Sequence, residues 1–86
     1  MKVAIITGAG SGIGLATAKH MHEMGMAIVG VGRSEDKLAA LVSELGNSDR
    51  VATISADITA VDAPKQIVDF ALERFGRINY LVNNAG

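Results

Sequence analysis

A parallel α/β sheet of strand order 3-2-1-4, with helices on both faces and its second half unfinished, is the fold this sequence predicts. Three observations carry it. Short apolar runs recur roughly every 23–27 residues, the size of a βαβ unit. Longer stretches with helical spacing separate them. A glycine-rich turn follows the first apolar run. Such alternation demands parallel strands, right-handed crossovers and helices on both faces. With the first strand central, the order becomes 3-2-1-4, one half of a doubly wound sheet plus the first strand of the other.

Each element has its own justification. Val3 to Ile6 is apolar without alternation, as a strand covered on both faces should be. Gly12 to Met24 reads as a helix that Gly25 stops. Ala27 to Val31 is a second buried strand. Ser34 suits an N-cap, with Glu35 and Asp36 in the first turn, where the helix dipole favours acids. Leu38, Leu41, Val42 and Leu45 then form one apolar stripe, closed by Gly46 and Asn47. Val51 to Ala56 is a third strand. Asp62 is the candidate cap of the next helix, which tolerates Pro64 in its first turn. Ile67, Phe70, Ala71 and Phe75 give that helix its apolar face, and Gly76 ends it. Ile78 to Val82 is the fourth strand.

Composition narrows the function. The chain has 86 residues, room for one small domain, and 49% of them are hydrophobic, which excludes disorder. A net charge of −1 without basic blocks gives no footing for nucleic acid or an anionic membrane. Cysteine is absent, so no disulfide framework or thiolate zinc site exists. His20 and His22 lie two apart and point to different helix faces, so they are not read as a metal pair. Thr7 and the glycines cut the first apolar run too short for a signal peptide or a membrane span, so the cytoplasm is the expected location.

The turn from Thr7 to Gly14 carries the chemistry. Gly8, Gly10, Gly12 and Gly14 serve a tight turn, close backbone approach to a pyrophosphate, and close packing of helix on strand. With Ser11 and Ile13 they open a helix whose free N–H groups and dipole suit phosphate. The plain alternative is a turn without a ligand, but a strand before it and a helix after it are the context that phosphate binding requires. No Lys-Ser or Lys-Thr pair follows, which excludes a nucleoside-triphosphate P-loop.

Thr7, Gly8, Gly12 and Gly14 fill the Thr-Gly-x-x-x-Gly-x-Gly signature of the short-chain dehydrogenase/reductase family. Asn83-Asn84-Ala85-Gly86 resembles its second marker, and Asp57, followed by Ile58 and Thr59, its third. The three stand in the family's order, so the resemblance spans the chain and implies a Rossmann-type cofactor domain over residues 1–86. It also implies that Asp57 and Ile58 meet the adenine edge and that Asn83 meets the adenosine ribose. Ala85 and Gly86 would keep the cofactor wall small, and Asn84 would tie the central strands together. Asp57 is equally read as ordering its own loop. Asn79 departs from the family, where many members carry aspartate, and is read as a detail of stability.

The residues ending the second strand select the cofactor. An acid there would hydrogen-bond the ribose hydroxyls of NAD and repel a 2′-phosphate. This chain has Gly32, Arg33 and Ser34 instead, which favours NADP(H) over NAD(H) because guanidinium matches phosphate geometry. Two points oppose it: Arg33 is also readable as a solvated residue, with any ribose contact coming from Glu35 or Asp36 although capping accounts for those acids, and Ser11 stands where some NADP(H)-using members carry a basic residue.

The resemblance implies hydride transfer between a nicotinamide and a small carbonyl compound or alcohol. It also implies a catalytic serine, tyrosine and lysine located after the fourth strand. Tyr80 is the only tyrosine, Asn84 rather than lysine follows it by four, and aromatic packing in the strand is its natural role. No catalytic residue is therefore assigned. The chain reads as the amino-terminal, cofactor-binding part of a longer oxidoreductase, itself expected to be a homo-oligomer. Alone it should be inactive and marginally stable, bind cofactor weakly, leave the first and third helices short of neighbours, expose an open strand edge, and self-associate. The competing hypothesis is a short, non-catalytic nucleotide-binding or interaction protein. A methyltransferase-type domain is disfavoured, because it wants an acid after the second strand.

Overall fold

The computed structural model describes residues 1–84, so Ala85 and Gly86 lie outside the described residues. In chain order the elements are β1 (Val3–Thr7), α1 (Gly12–Glu23), β2 (Ala27–Gly32), α2 (Glu35–Glu44), β3 (Val51–Ser55), α3 (Ala63–Phe75) and β4 (Tyr80–Asn83). The four strands form one parallel sheet in the expected order, β3-β2-β1-β4.

Register brings the strand ends to one edge. Thr7 of β1 pairs with Val31 of β2 and with Asn83 of β4. Gly32 of β2 pairs with Ser55 of β3. The carboxyl ends of all four strands therefore line up, and this is the edge where open α/β sheets bind ligands.

The absence of alternation in β1 and β2 has its physical counterpart in a core on each face. Ala4, Ile6 and Ile28 meet Ala18 of α1 and Leu41 of α2 on one side. Val3, Ile5, Val29 and Val31 meet Ala63, Ile67 and Ala71 of α3 on the other. Every residue of β1 is buried. The edge strand β4 is not: Leu81 is 65% exposed, and on α3 Val68 and Leu72 are also exposed. Among the described residues α1 shares its face with α2, whereas α3 covers the other face alone.

Several boundaries differ from the expected ones. α1 ends at Glu23, because Met24 leaves helical geometry while its N–H still bonds the His20 carbonyl. Arg50 then donates from Nη1 to the carbonyls of His22 and Met26, placing a cation at the helix's negative end. β3 stops at Ser55, although Ala56 N still donates to Gly32 O. β4 begins at Tyr80 instead of position 78. Asn79 occupies the preceding rung: Val3 N donates to Asn79 Oδ1 and Asn79 N donates to Val3 O, each at 2.9 Å. Asn79 is thus a tie between β1 and the approach to β4, consistent with a role in stability.

The caps divide similarly. Ser34 caps α2, its Oγ accepting from Lys37 N at 3.3 Å. Asp62 occupies the N-cap position of α3, but its backbone is already helical and its side chain makes no capping bond. Gly76 ends α3 with φ 77°, a left-handed conformation that suits glycine. Tyr80 departs from its expected packing role. It is 39% exposed at the open edge, where Lys2 Nζ donates to its hydroxyl at 3.1 Å. His20 is exposed and His22 half-buried, and burial, then the Arg50 charge, holds the His22 pKa below its ordinary value. No group of His, Cys, Asp and Glu suited to a metal occurs among the described residues. No described helix is long and apolar enough to cross a membrane.

Candidate cofactor site

The site is built on the carboxyl edge of the sheet, beginning with the turn between β1 and α1. Gly8 and Gly12 hold φ of 64° and 59°, where side chains are disfavoured. Gly14 answers a different need. A Cβ there would collide with the Gly8 carbonyl oxygen and stand 2.7 Å from Asn84 Nδ2, so only glycine lets α1 seat against the turn. Ser11 is the N-cap of α1 in extended conformation, and its side chain makes no capping bond. The first-turn N–H groups of α1 are thus left for an anion. Ile13 follows at 76% exposure.

Thr7 closes the turn from below. Its side chain is buried and directed at β4: Oγ1 donates to Asn83 Oδ1 at 3.2 Å and accepts from Asn84 N at 2.9 Å. Asn84 Nδ2 reaches the Gly8 carbonyl at 3.4 Å. Thr7, Asn83 and Asn84 together fasten the end of β4 to the glycine turn. Thr7 therefore shapes the site as a strut, and Asn83 stands at the floor of the edge with its side chain on Thr7.

Two clefts flank the end of β2. The smaller, about 190 Å³, lies between the glycine turn and the start of α2, with Gly10, Ser11, Gly32, Arg33, Ser34 and Lys37 in its walls. The larger, about 480 Å³, lies between the ends of β2 and β3 and is walled by Gly8, Val31, Arg33, Ala56, Ile58 and Thr59. Gly8, Gly32 and Arg33 belong to both, so the two form one groove around the end of β2. A flat ring suits the larger part, with its apolar Ile58 and Val31 walls. An anion suits the smaller, with its cations and hydroxyls.

Arg33 and Asp57 meet between them. Arg33 Nη2 lies 3.1 Å from Asp57 Oδ1. The same oxygen accepts from Thr59 N at 2.9 Å and Thr59 Oγ1 at 2.6 Å. The Thr59 hydroxyl, then its N–H, hold the Asp57 carboxyl below its usual pKa, and Arg33 adds a smaller contribution. Ser55 Oγ fixes the Arg33 carbonyl at 3.1 Å. Asp57 therefore orders its own loop and also positions the guanidinium.

The structure thus brings the glycine turn, Arg33, Ser34, Asp57, Ile58 and Asn83 to one edge. One residue, the role of another and one pairing escaped the reading of the sequence. Thr59 clamps Asp57, and the Asp-x-Thr spacing was the available signal for such a turn. Lys37 lines the smaller cleft, signalled only by its place in the first turn of α2. The Arg33–Asp57 pair spans two loops 24 residues apart, and no local pattern announces it.

A third cavity, about 330 Å³, opens between α3 and β4, with Ile67, Val68, Ile78 and Leu81 among its walls. It lies on the face that α3 covers alone.

Comparison with known proteins agrees with this fold. Residues 2–86 match the family model for short chain dehydrogenases. An uncharacterised oxidoreductase of Staphylococcus aureus (strain MRSA252) is 38% identical over 85 residues, covering 99% of this chain and 36% of its relative. The 3-ketoacyl-(acyl-carrier-protein) reductase from Brucella melitensis, solved with NADH, superposes with a TM-score of 0.92 at 39% identity, covering 99% of this chain and 34% of the reductase. A variant of the actinorhodin polyketide ketoreductase, solved with NADPH, gives 0.92 at 34% identity, covering 99% and 33%. The chain thus spans about a third of the length of the proteins it matches.

Proposed function

The chain belongs to the short-chain dehydrogenase/reductase family, and on that footing we propose that its carboxyl-edge groove binds NADP(H) as the amino-terminal part of a longer oxidoreductase. Residues 1–86 are read as part of a single Rossmann-type domain. The observation that carries the cofactor preference is the end of β2. Gly32 leaves space, Arg33 and Ser34 follow, and no carboxylate lines the smaller cleft. A 2′-phosphate there meets charge-assisted donors, whereas the two ribose hydroxyls of NAD(H) find no carboxylate acceptor.

The remaining assignments follow the groove. Gly8, Gly10, Ser11, Gly12, Ile13 and Gly14 present backbone N–H groups to the pyrophosphate at the start of α1. Asp57 and Ile58 flank the adenine. Asn83, with Ala85 and Gly86 beyond the described residues, borders the adenosine ribose. The nicotinamide supplies the hydride chemistry, with a small carbonyl compound or alcohol as reaction partner in the longer protein. No residue of this chain is assigned an acid–base role, and Tyr80 stays outside it. The longer protein is read as a cytoplasmic homo-oligomer.

Calorimetric titration of the chain with NADPH and with NADH tests the preference. Binding of NADPH at least about tenfold tighter supports it, a ratio near 1.4 kcal/mol. Equal or reversed affinities overturn it. The coding sequence downstream of Gly86 tests the rest: an open frame with a serine and a Tyr-x-x-x-Lys sequence supports the oxidoreductase, and a stop codon favours a non-catalytic binding module.

A further inference from the structure

The smaller cleft holds two cations that are unequally committed. Arg33 already shares the Asp57 carboxylate at 3.1 Å, so part of its charge is answered within the chain. Lys37, across the cleft, makes no ion pair among the described residues. It is nonetheless firmly based. Its N–H is fixed on Ser34 Oγ at 3.3 Å, and its Cβ packs so closely on the glycine turn that a Cβ added at Gly10 would stand 2.7 Å from it. Gly10 thus has a second use, which is to let the first turn of α2 press against the phosphate-binding turn and bring the lysine stem to the cleft. The acids beside it, Glu35 and Asp36, do not line the cleft.

A phosphate monoester carries about −1.5 to −2 charges at neutral pH. A guanidinium partly held by a carboxylate does not balance that charge. A flexible ammonium with three donors can supply the remainder as a point charge. We infer that Lys37 is a specificity-determining residue of the cofactor site, supplying the second positive charge to the 2′-phosphate of NADP(H) from across the cleft. The inference rests on the NADP(H) reading above and assigns it a residue that sequence reasoning overlooked.

Adenosine 2′,5′-bisphosphate and adenosine 5′-monophosphate test it without any turnover. Calorimetry on the chain should show Lys37→Gln weakening the bisphosphate about 5- to 10-fold, the scale of a partly exposed charged hydrogen bond. The monophosphate should change by less than about twofold, because the variant leaves the rest of the groove intact. Lys37→Arg should restore most of the loss. Phosphorus NMR of the saturated complex gives a second reading: the 2′-phosphate should titrate at higher pH in Lys37→Gln than in the parent chain. Circular dichroism establishes that the variants are folded. An unchanged bisphosphate affinity, or equal losses for both nucleotides, makes Lys37 a bystander while the parent's preference for the bisphosphate keeps the NADP(H) reading alive. A parent chain that does not prefer the bisphosphate overturns the reading and the role of Lys37 together.

Discussion

The two faces of the sheet are finished to different degrees. On one, α1 and α2 lie side by side over Ala4, Ile6 and Ile28, and Leu41 is wholly buried between them. On the other, α3 is the only described helix over Val3, Ile5 and Val29, and Val68, Leu72 and Leu81 are exposed. The proposed cofactor groove draws its candidate phosphate-binding parts from the better-covered face: the glycine turn leads into α1, and Arg33 and Ser34 lead into α2. The end of β4, which lines the cavity under α3 through Asn83 rather than this groove, is tied to the glycine turn by Thr7, Asn83 and Asn84. The glycine turn and the end of β2 are therefore ordered on the better-covered face even though the other face is open.

The most severe way to break that relation is Gly14→Val. Its side chain would collide with the Gly8 carbonyl and with Asn84, which is backbone on one side and the β4 tie on the other. Neither can withdraw without unseating α1. A cost above about 4 kcal/mol is expected, enough to unfold so small a domain. Loss of the helical circular dichroism signal relative to the parent chain would show it. A folded Gly14→Val chain would mean that α1 does not need its close seat.

A sharper comparison sets Leu41→Ala on the closed face against Leu81→Ala on the open edge. Leu41 is fully buried, and its truncation should cost about 3 kcal/mol through lost burial and the cavity left behind. Leu81 is 65% exposed, so its truncation should cost less than about 0.5 kcal/mol. Urea denaturation of both variants decides. The open edge carries a second expectation. An unpaired strand beside exposed Leu72 and Val68 is a surface for self-association. Sedimentation velocity at micromolar concentration should find oligomers, and Leu81→Lys should shift the chain toward monomer. A parent chain that is monomeric and melts sharply would refute this.

The contrast between faces also explains what the sequence made legible. Unbroken apolar runs at Val3 to Ile6 and Ala27 to Val31 foretold two-sided burial, and two-sided burial fixed the parallel sheet and its order. The same rule overreached at Ile78 to Val82. That run is interrupted by Asn79, whose bonds to Val3 occupy the rung before the strand, so the strand starts at Tyr80, and among the described residues no element covers it. Local signals served well where the structure is local, as at the glycine turn and the Ser34 cap. They failed where the arrangement depends on distant pairs. Nothing near Arg33 indicates that Asp57 will hold it, and nothing near Gly10 indicates that Lys37 will pack on it. Asp62 shows the converse: its residue type suits a cap, but its backbone has already turned helical.

The smallest expected effect concerns the clamp at Asp57, where the sign follows from the direction of the shift. Its carboxyl titrates below the usual range in the folded chain, so the contacts contribute stability above the unfolded-state pKa of about 3.9. That contribution disappears as pH falls through the lower folded value, and nothing changes between pH 5 and 8 on its account. Because Thr59 rather than Arg33 is the larger cause, Thr59→Val should move the carboxyl's NMR titration midpoint upward further than Arg33→Gln does. The binding consequences should run the other way. Arg33→Gln removes a ligand of the proposed 2′-phosphate and should weaken adenosine 2′,5′-bisphosphate several-fold, the scale of a charge-assisted bond. Thr59→Val only loosens the carboxylate that positions Arg33 and should weaken it less than about threefold, within the range of a single exposed hydrogen bond. If both variants shifted pKa and affinity in proportion, Asp57 would be responding to Arg33 alone, and the Thr59 turn would have no separate part in the site.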